Sequence, residues 1–427
     1  MPLKQHDRQY DMVVFGATGY TGKFTAQHIT THLPTTLRWA IAGRSQAKLE
    51  ALAEQCKKWN PDRPPPAIEI CSLSDADLAS LASKTFILLT TVGPYGRHGE
   101  PAFRACAEQG THYLDVTGEV PFVKRMITRY ASTASASGAL MFPQVGIESA
   151  PSDLVTWTLA RVLRETYGPT TKLGDVTESL MISGAPSGGT LASALTIMET
   201  FPLRELRAAY KPFALSPVPN PNPRRPKAPS ILTRLTGLVR LPVLGGLQTT
   251  SIANRTDGAI VERTWGLLAS TPALRDQAYG PNFSFTQYMR ARSVLMGVGI
   301  HFGLMVLGLV MATPFLRRFV GARVTQPGEG ADFEAAKKDR VEYVATARPD
   351  FQDGRTEDDG RVAYCRAAYK GPNYYFTAIL LAEAAATVLQ DDIPLTGGVY
   401  TPACLGQGFI DRLEKAGFHF EAKMLDA

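Results

Sequence analysis

Residues 11–22 read Asp-Met-Val-Val-Phe-Gly-Ala-Thr-Gly-Tyr-Thr-Gly, an apolar run that ends directly in a glycine-rich turn. The apolar run predicts a buried strand over 11–16, and the sequence after it predicts a helix over 21–32. Glycines spaced G-x-x-G-x-x-G allow a tight backbone turn, and the N–H groups at the start of the helix can then bind a pyrophosphate. The alternative is a plain tight turn without a ligand. The residues predicted to bind a nucleotide here are Gly16, Thr18, Gly19, Tyr20, Thr21 and Gly22.

The alternation of strand and helix continues to about residue 147. Short apolar runs at 38–42, 67–71, 86–90, 112–116 and 140–142 predict further strands, and the stretches between most of them predict helices. Strands that alternate with helices in this way indicate an α/β fold with a doubly wound, Rossmann-like parallel sheet.

A second domain is expected after residue 147, where the alternation becomes irregular. Strands are predicted at 176–182, 259–265 and 341–347, and an apolar helix at 374–389, which is typical of the α+β class. We expect three parts: a nucleotide-binding domain over 1–147, an inserted substrate or dimerisation domain over 148–370, and a C-terminal segment over 371–427 that packs back on the first domain.

The end of the second predicted strand indicates which dinucleotide is bound. NAD-specific sites usually place Asp or Glu about 20 residues past the glycine turn, where it binds the ribose 2′-hydroxyl. This chain has Arg44, Ser45 and Lys48 there instead, and these side chains suit a 2′-phosphate. The predicted cofactor is therefore NADPH. The alternative is that Arg44 and Lys48 are solvated charges on a helix face.

Composition and missing motifs exclude several classes of function. The chain has 427 residues and a net charge of +6, which is too diffuse to indicate nucleic-acid binding. Five scattered cysteines and a polar N-terminus are typical of a cytoplasmic protein. Seven histidines are spread along the chain without a carboxylate cluster at ligand spacing, so no metal is expected. Neither Tyr-x-x-x-Lys nor the Gly-x-Ser-x-Gly nucleophile turn occurs.

Several motifs together carry a family resemblance. They are Gly16–Gly22, Val92–Gly96, Gly110–Glu119, Val145–Leu154, Ser187–Thr190, Pro327–Gly330 and Gly397–Pro402. The chain resembles the saccharopine dehydrogenase-like oxidoreductases, and within them the trans-acting enoyl reductase branch. The resemblance implies reduction of an imine or an activated double bond by NAD(P)H. One departure is Glu148, which stands where the family tends to have aspartate.

The loop after the fourth predicted strand is expected at the nicotinamide half of the cofactor. Thr91, Val92, Gly93 and Pro94 would contact the cofactor there, because ligands of open α/β sheets lie at the carboxyl ends of the strands. Tyr95 and Glu119 are the predicted catalytic residues, Tyr95 as proton donor and Glu119 as an acid or substrate-orienting group. A packing role for Tyr95 and a strand-capping role for Glu119 remain alternatives. Ser152 and Asp153 are interpreted first as a helix N-cap pair.

The predicted reaction is hydride delivery to the β-carbon of an acyl or polyketide enoyl thioester. A carrier protein or synthase would present the thioester, attracted by the basic stretch Arg224, Arg225 and Lys227. Two alternatives stay open: a saccharopine-type imine reductase, and a non-catalytic, membrane-associated adaptor that binds NADP.

Residues 293–316 contain no charged side chain over 24 positions and are flanked by arginines. About 20 apolar residues can span a bilayer. Three interpretations follow: attachment to a membrane surface, a helix buried in the protein or in a homodimer interface, and a true membrane span.

Overall fold

The computed structural model describes residues 2–184, 188–222, 230–321, 333–351 and 360–426, without the side chains of 188–192 and 321. Its strands are β1 (Tyr10–Phe15), β2 (Trp39–Gly43), β3 (Ala67–Ile70), β4 (Thr85–Thr90), β5 (His112–Asp115), β6 (Leu140–Phe142), β7 (Lys172–Ile182), β8 (Val239–Leu241), β9 (Gly246–Thr250), β10 (Ser284–Arg290), β11 (Arg340–Asp350), β12 (Arg361–Lys370), β13 (Gly398–Val399) and β14 (His419–Asp426).

The described α-helices connect and cover these strands. They are α1 (Tyr20–His32), α2 (Gln46–Trp59), α3 (Asp75–Ser83), α4 (Tyr95–His98), α5 (Glu100–Gln109), α6 (Val120–Ser137), α7 (Ala150–Tyr167), α8 (Gly188–Thr200), α9 (Leu203–Ala209), α10 (Ile231–Thr236), α11 (Asn254–Ser270), α12 (Val294–Ala312), α13 (Pro314–Gly321), α14 (Phe333–Ala336), α15 (Asn373–Gln390) and α16 (Gly406–Lys415). Short 3₁₀ turns occupy Pro242–Leu244, Pro272–Gln277 and Pro402–Leu405.

The first sheet has seven parallel strands in the order β13-β6-β5-β4-β1-β2-β3. All six residues of β1 are buried, because helices cover both faces of the sheet. The predicted Rossmann-like α/β sheet is therefore confirmed. Phe15 pairs with Ala42 of β2 and Thr90 of β4, so these three neighbouring strands end at one edge.

The second sheet is mixed, with the order β14-β12-β11-β7-β10-β9-β8. Strands β7 and β10 run parallel, and the other neighbouring pairs run antiparallel. Helices α7 and α11 pack against this sheet. The second α+β domain is therefore confirmed as a class, while its boundaries at 148 and 370 stay predictions.

The strand predicted over Ala259–Trp265 is wrong, since these residues lie inside α11. Its β-branched and aromatic residues favour a strand locally. However, Ile260, Thr264 and Leu268 are buried at a spacing of four residues, which is the period of a helix face. Packing on the second sheet thus overrides the local preference.

The C-terminal chain takes part in both sheets. Strand β13 pairs with β6 of the first sheet, and β14 pairs with β12 of the second. Between them, α15 packs on α1 and β4, with most of its residues buried. A buried hydrogen bond of 2.8 Å joins His28 Nε2 of α1 to Glu383 Oε1 of α15.

Removing this buried contact tests how far α15 stabilises the first sheet. We expect Glu383→Ala to lower the free energy of unfolding by about 2 kcal/mol, because it leaves the His28 ring without its partner in the interior. Denaturant unfolding measures the change. Glu383→Gln keeps an acceptor oxygen and is the control; an equal loss in both variants would show that the hydrogen bond is not what matters.

Candidate active site

The glycine turn lies between β1 and α1, at the carboxyl edge of the first sheet. Gly16 has a φ of +84°, and a Cβ on it would stand 2.7 Å from Val92 Cγ2. A Cβ on Gly22 would stand 2.3 Å from the Gly16 carbonyl oxygen. Neither position accepts a larger side chain without displacing backbone or neighbours. The glycine turn is therefore tight, and the free N–H groups at the start of α1 can donate hydrogen bonds to a phosphate there.

The loop after β4 is bound directly to this turn. The Thr91 N–H donates to the Phe15 carbonyl at 2.9 Å, and Thr91 Oγ1 donates to the Gly16 carbonyl at 3.1 Å. Val92 lies against Gly16, and Gly93 beyond it is exposed. The structure therefore brings the two predicted cofactor segments, 16–22 and 91–94, together at one edge.

The predicted 2′-phosphate residues follow β2 at the same edge. Arg44 and Lys48 are exposed, while Ser45 is half-buried at the start of α2. The pKa of His98 in α4 is lowered by burial and then by the positive charges of Arg97 and Arg44. Arg44 in the loop after β2 and Arg97 in α4 are therefore both near His98. Arg97 is paired with Glu199 at 2.7 Å, so Arg44 is the positive charge that a phosphate at this edge would meet.

The Tyr95 hydroxyl is buried and has partners within the protein. It donates to the Thr90 carbonyl at 2.9 Å, and the side chain is 5% exposed. Burial raises the pKa of Tyr95 well above its usual value. The role of Tyr95 as proton donor stays a prediction, and these contacts correspond to the alternative role in packing.

The Glu119 carboxylate accepts two backbone hydrogen bonds from the start of α4. Its Oε1 accepts from the Tyr95 N–H at 2.8 Å and its Oε2 accepts from the Gly96 N–H at 2.9 Å. Burial raises the pKa of Glu119, although these two hydrogen bonds oppose the shift. A carboxylate that accepts two backbone N–H groups fixes the loop beside the cofactor edge. Its catalytic role also stays a prediction.

Glu148 is the acid that sequence reasoning did not select. It lies in the turn after β6, and its Oε2 is 2.7 Å from where a Cβ on Gly118 would stand. The side chain is solvent-accessible, yet protein surrounds it closely enough that burial raises its pKa. The Tyr343 hydroxyl braces this turn from β11 by donating to the Ile147 carbonyl at 2.6 Å. The sequence signal was the unusual glutamate itself.

A buried acid network lies on the second-domain side of Glu148. Ser152 Oγ donates to Glu178 Oε1 at 2.7 Å and lies 3.0 Å from Asp257 Oδ2, and Gln287 Nε2 donates to both carboxylates. Burial raises the pKa of Glu178 to about 7, and burial followed by the Glu178 charge raises that of Asp257. The pair of carboxyl groups, Glu178 and Asp257, is therefore expected to hold at least one proton at neutral pH.

The interpretation of Ser152 and Asp153 as an N-cap pair is wrong. The N-cap of α7 is Ser149, and both residues lie inside the helix. Asp153 accepts from Thr264 Oγ1 of α11 and from the Ala403 N–H at 2.8 Å. It therefore joins α7 to α11 and to the C-terminal chain.

Some predicted segments fall outside the description. Ser187, the basic stretch Arg224, Arg225 and Lys227, and Pro327–Gly330 lie outside the described residues, as do the side chains of Gly188–Thr190. Within the described residues, no group of three or more His, Cys, Asp or Glu side chains could hold a metal ion.

Arg44 provides the test of cofactor choice. We expect Arg44→Ala to weaken NADPH binding roughly tenfold, or about 1.4 kcal/mol, because a charged partner of the 2′-phosphate is removed. NADH lacks that phosphate, so its affinity should stay unchanged. Fluorescence titration with both cofactors measures this, and Lys57→Ala at the far end of α2 is the control. If the affinities for NADPH and NADH fall equally, Arg44 does not bind the 2′-phosphate.

The architecture is similar to that of known saccharopine dehydrogenase proteins. The sequence profile of the saccharopine dehydrogenase NADP binding domain matches residues 12–141. The solved apo saccharopine dehydrogenase (L-Glu forming) of Saccharomyces cerevisiae covers 97% of this chain and 100% of its own, with a TM-score of 0.51 at 11% identity. That likeness concerns the fold.

Full-length relatives define the family. A protein of Mycobacterium tuberculosis, provisionally named a trans-acting enoyl reductase, is 32% identical over 437 residues and covers 98% of both chains. A trans-acting enoyl reductase of Mycobacterium bovis is 30% identical over 432 residues, or 96% of this chain and 97% of its own. Because these relatives match the chain over nearly its whole length, this chain belongs to the trans-acting enoyl reductase family of saccharopine dehydrogenase-like oxidoreductases.

Proposed function

We propose that the protein is an NADPH-dependent enoyl reductase that saturates the α,β double bond of an acyl or polyketide thioester. Full-length relatives with that name support the reaction class. The observation that carries the chemistry is Glu148, an accessible carboxyl of raised pKa at the same sheet edge as the glycine turn. A reductase of this kind needs both a hydride site and a nearby acid.

Residues 16–22, 91–94 and Arg44 would hold NADPH, which would supply a hydride to the β-carbon of the substrate. The electron pair of the carbon–carbon π bond moves toward the thioester carbonyl and then forms a bond to a proton at the α-carbon. Glu148 donates this proton and regains one from water, so the chain is unchanged after turnover. Glu119 acts indirectly in this proposal: it fixes α4 and the loop 91–94 that supports the nicotinamide.

Glu148 suits the proton-donor role better than Tyr95. The Tyr95 hydroxyl is buried and already donates to a carbonyl, whereas Glu148 is exposed to solvent. Burial keeps Glu148 protonated at a higher pH than an ordinary glutamate, so the acid form is available to donate.

Replacing Glu148 tests this assignment. We expect Glu148→Gln to lower kcat about 100-fold, since an amide cannot donate its proton to carbon, and to leave NADPH affinity unchanged. In the native protein, kcat should fall as pH rises through the raised pKa of Glu148, because the acid form disappears above it. The variant should lack this limb of the pH profile.

Two controls make the result specific. Glu148→Asp restores the carboxyl that is usual in the family and should recover activity, while Glu50→Gln on exposed α2 should change nothing. A Gln variant that keeps native kcat and the native pH limb would show that another group donates the proton.

Substrate assays separate the alternatives. We expect NADPH oxidation with an enoyl thioester and none with a cyclic or open-chain imine; the assay follows the loss of NADPH absorbance. Turnover of the imine alone would favour a saccharopine-type reductase. Tight NADPH binding without turnover of either substrate would favour the non-catalytic adaptor.

The acyl group would reach the cleft on a carrier protein or synthase. Comparing kcat/KM for the same enoyl group on coenzyme A and on a carrier protein tests this, and the carrier-bound substrate should be preferred. Equal values would mean that the protein does not recognise a carrier.

A further inference from the structure

An apolar surface on the second domain consists of three helices in contact, α10, α12 and α13. Within α12, Gly297 is the only buried residue, and α10 has none. Soluble proteins rarely expose a contiguous apolar surface of more than a few hundred Å², so this surface requires a partner. Its most exposed side chains include Ile231, Leu232, Leu295, Val306, Leu309 and Phe315.

The exposure of α12 extends around the helix. Met305, Val306 and Leu307 are consecutive and are 59%, 60% and 39% exposed. Successive residues of a helix point about 100° apart, so these three side chains face in different directions. A folded protein, including a second copy of this chain, would cover one face and leave the others in water. Fluid hydrocarbon can surround all of them.

The polar side chain of α12 points inward. His301 is the one polar residue between 294 and 312, and its Nδ1 lies 2.8 Å from Thr250 Oγ1 of β9. Thr249 Oγ1 of the same strand donates to the Gly297 carbonyl at 2.7 Å. The first half of α12 is thus anchored to the second sheet, and its outer faces present only apolar side chains.

Positive charge borders the apolar surface. Residues 230–247 and 290–321 contain six arginines and no acidic residue. Arg234, Arg240, Arg292 and Arg318 are exposed. Apolar side chains beside exposed arginines match the boundary between the acyl chains and the anionic headgroups of a bilayer.

The chain topology limits how deeply α12 can insert. Strand β10 precedes α12 and β11 follows it, and both pair with β7 in one sheet. A single crossing would place these two strands on opposite sides of the membrane. A return crossing would need a second apolar run between 313 and 339, and the sequence contains none of that length. Insertion into one leaflet satisfies both constraints.

The apolar surface lies close to the candidate active site. Helix α8 contacts α12 and α13 of this surface and also α4. Glu199 of α8 bridges the two, with Oε1 3.3 Å from Arg317 Nε of α13 and Oε2 2.7 Å from Arg97 of α4. One helix therefore links the apolar surface to α4, which directly follows the loop 91–94.

We propose that the α10–α12–α13 surface inserts into one leaflet of an anionic phospholipid bilayer and holds the candidate active site beside the membrane. Membrane insertion goes beyond the reductase activity and does not depend on it, whereas the uptake of an acyl chain rests on the proposed function. An enzyme docked in this way can take an acyl chain that is dissolved in the membrane, without first extracting it into water.

Vesicle flotation of the full-length protein tests the proposal. We expect the protein to float with vesicles of phosphatidylcholine and phosphatidylglycerol, and less with phosphatidylcholine alone. Replacing Leu295 and Leu309 together with Gln should lower the vesicle partition coefficient at least tenfold, because each leucine loses its burial in hydrocarbon. NADPH affinity should stay native and shows that the variant is folded.

A matched control distinguishes insertion of this surface from nonspecific adsorption of exposed apolar side chains to vesicles. Ile68 and Ile70 are exposed on edge strand β3 of the first sheet, and the double Gln variant there should float like the native protein. Native flotation of the Leu295/Leu309 variant would overturn the proposal. The proposal would also be overturned if the native protein does not float and sediments as a dimer, while the Leu295/Leu309 variant sediments as a monomer. The occupant of the surface would then be a second copy of the chain.

Discussion

The arrangement of the molecule depends on the C-terminal chain, which belongs to two sheets at once. After β12, the chain crosses to the first domain as α15, adds β13 to the parallel sheet, and returns as β14. Asp153 accepts from the Ala403 N–H on this path, so the start of α7 is bound to it as well. Glu148 lies between β6, which pairs with β13, and α7, so the C-terminal chain fixes both ends of the turn that contains it.

The parts of the site that follow from local sequence were predictable. A glycine turn between a buried strand and a helix needs only neighbouring residues, and the carboxyl ends of parallel strands meet at one edge. Arg44, Thr91 and the glycines are therefore found where the sequence places them. The strand pattern of the first domain was also readable, because β1, β2 and β6 are buried along their whole length and β4 and β5 nearly so, which gives mostly apolar runs.

Contacts between distant parts of the chain could not be read in this way. Nothing in the sequence near Glu119 shows that its carboxylate receives two N–H groups from the start of α4. The accessibility of Glu148 depends on how the second domain faces the first. The same limitation explains α11, where burial against a sheet formed by distant segments decides between helix and strand. Tertiary packing fixed each of these outcomes.

The half of α12 beyond His301 is constrained in its apolar composition more than in the identity of each residue. Most of its residues beyond His301 are exposed, so substitution of these by another apolar residue of good helix propensity costs little. Gly297, by contrast, has Leu238 within 2.5 Å of where a Cβ would stand. Over evolutionary time the segment should therefore keep its apolar composition while its individual residues drift, with Gly297 as a fixed point at its base.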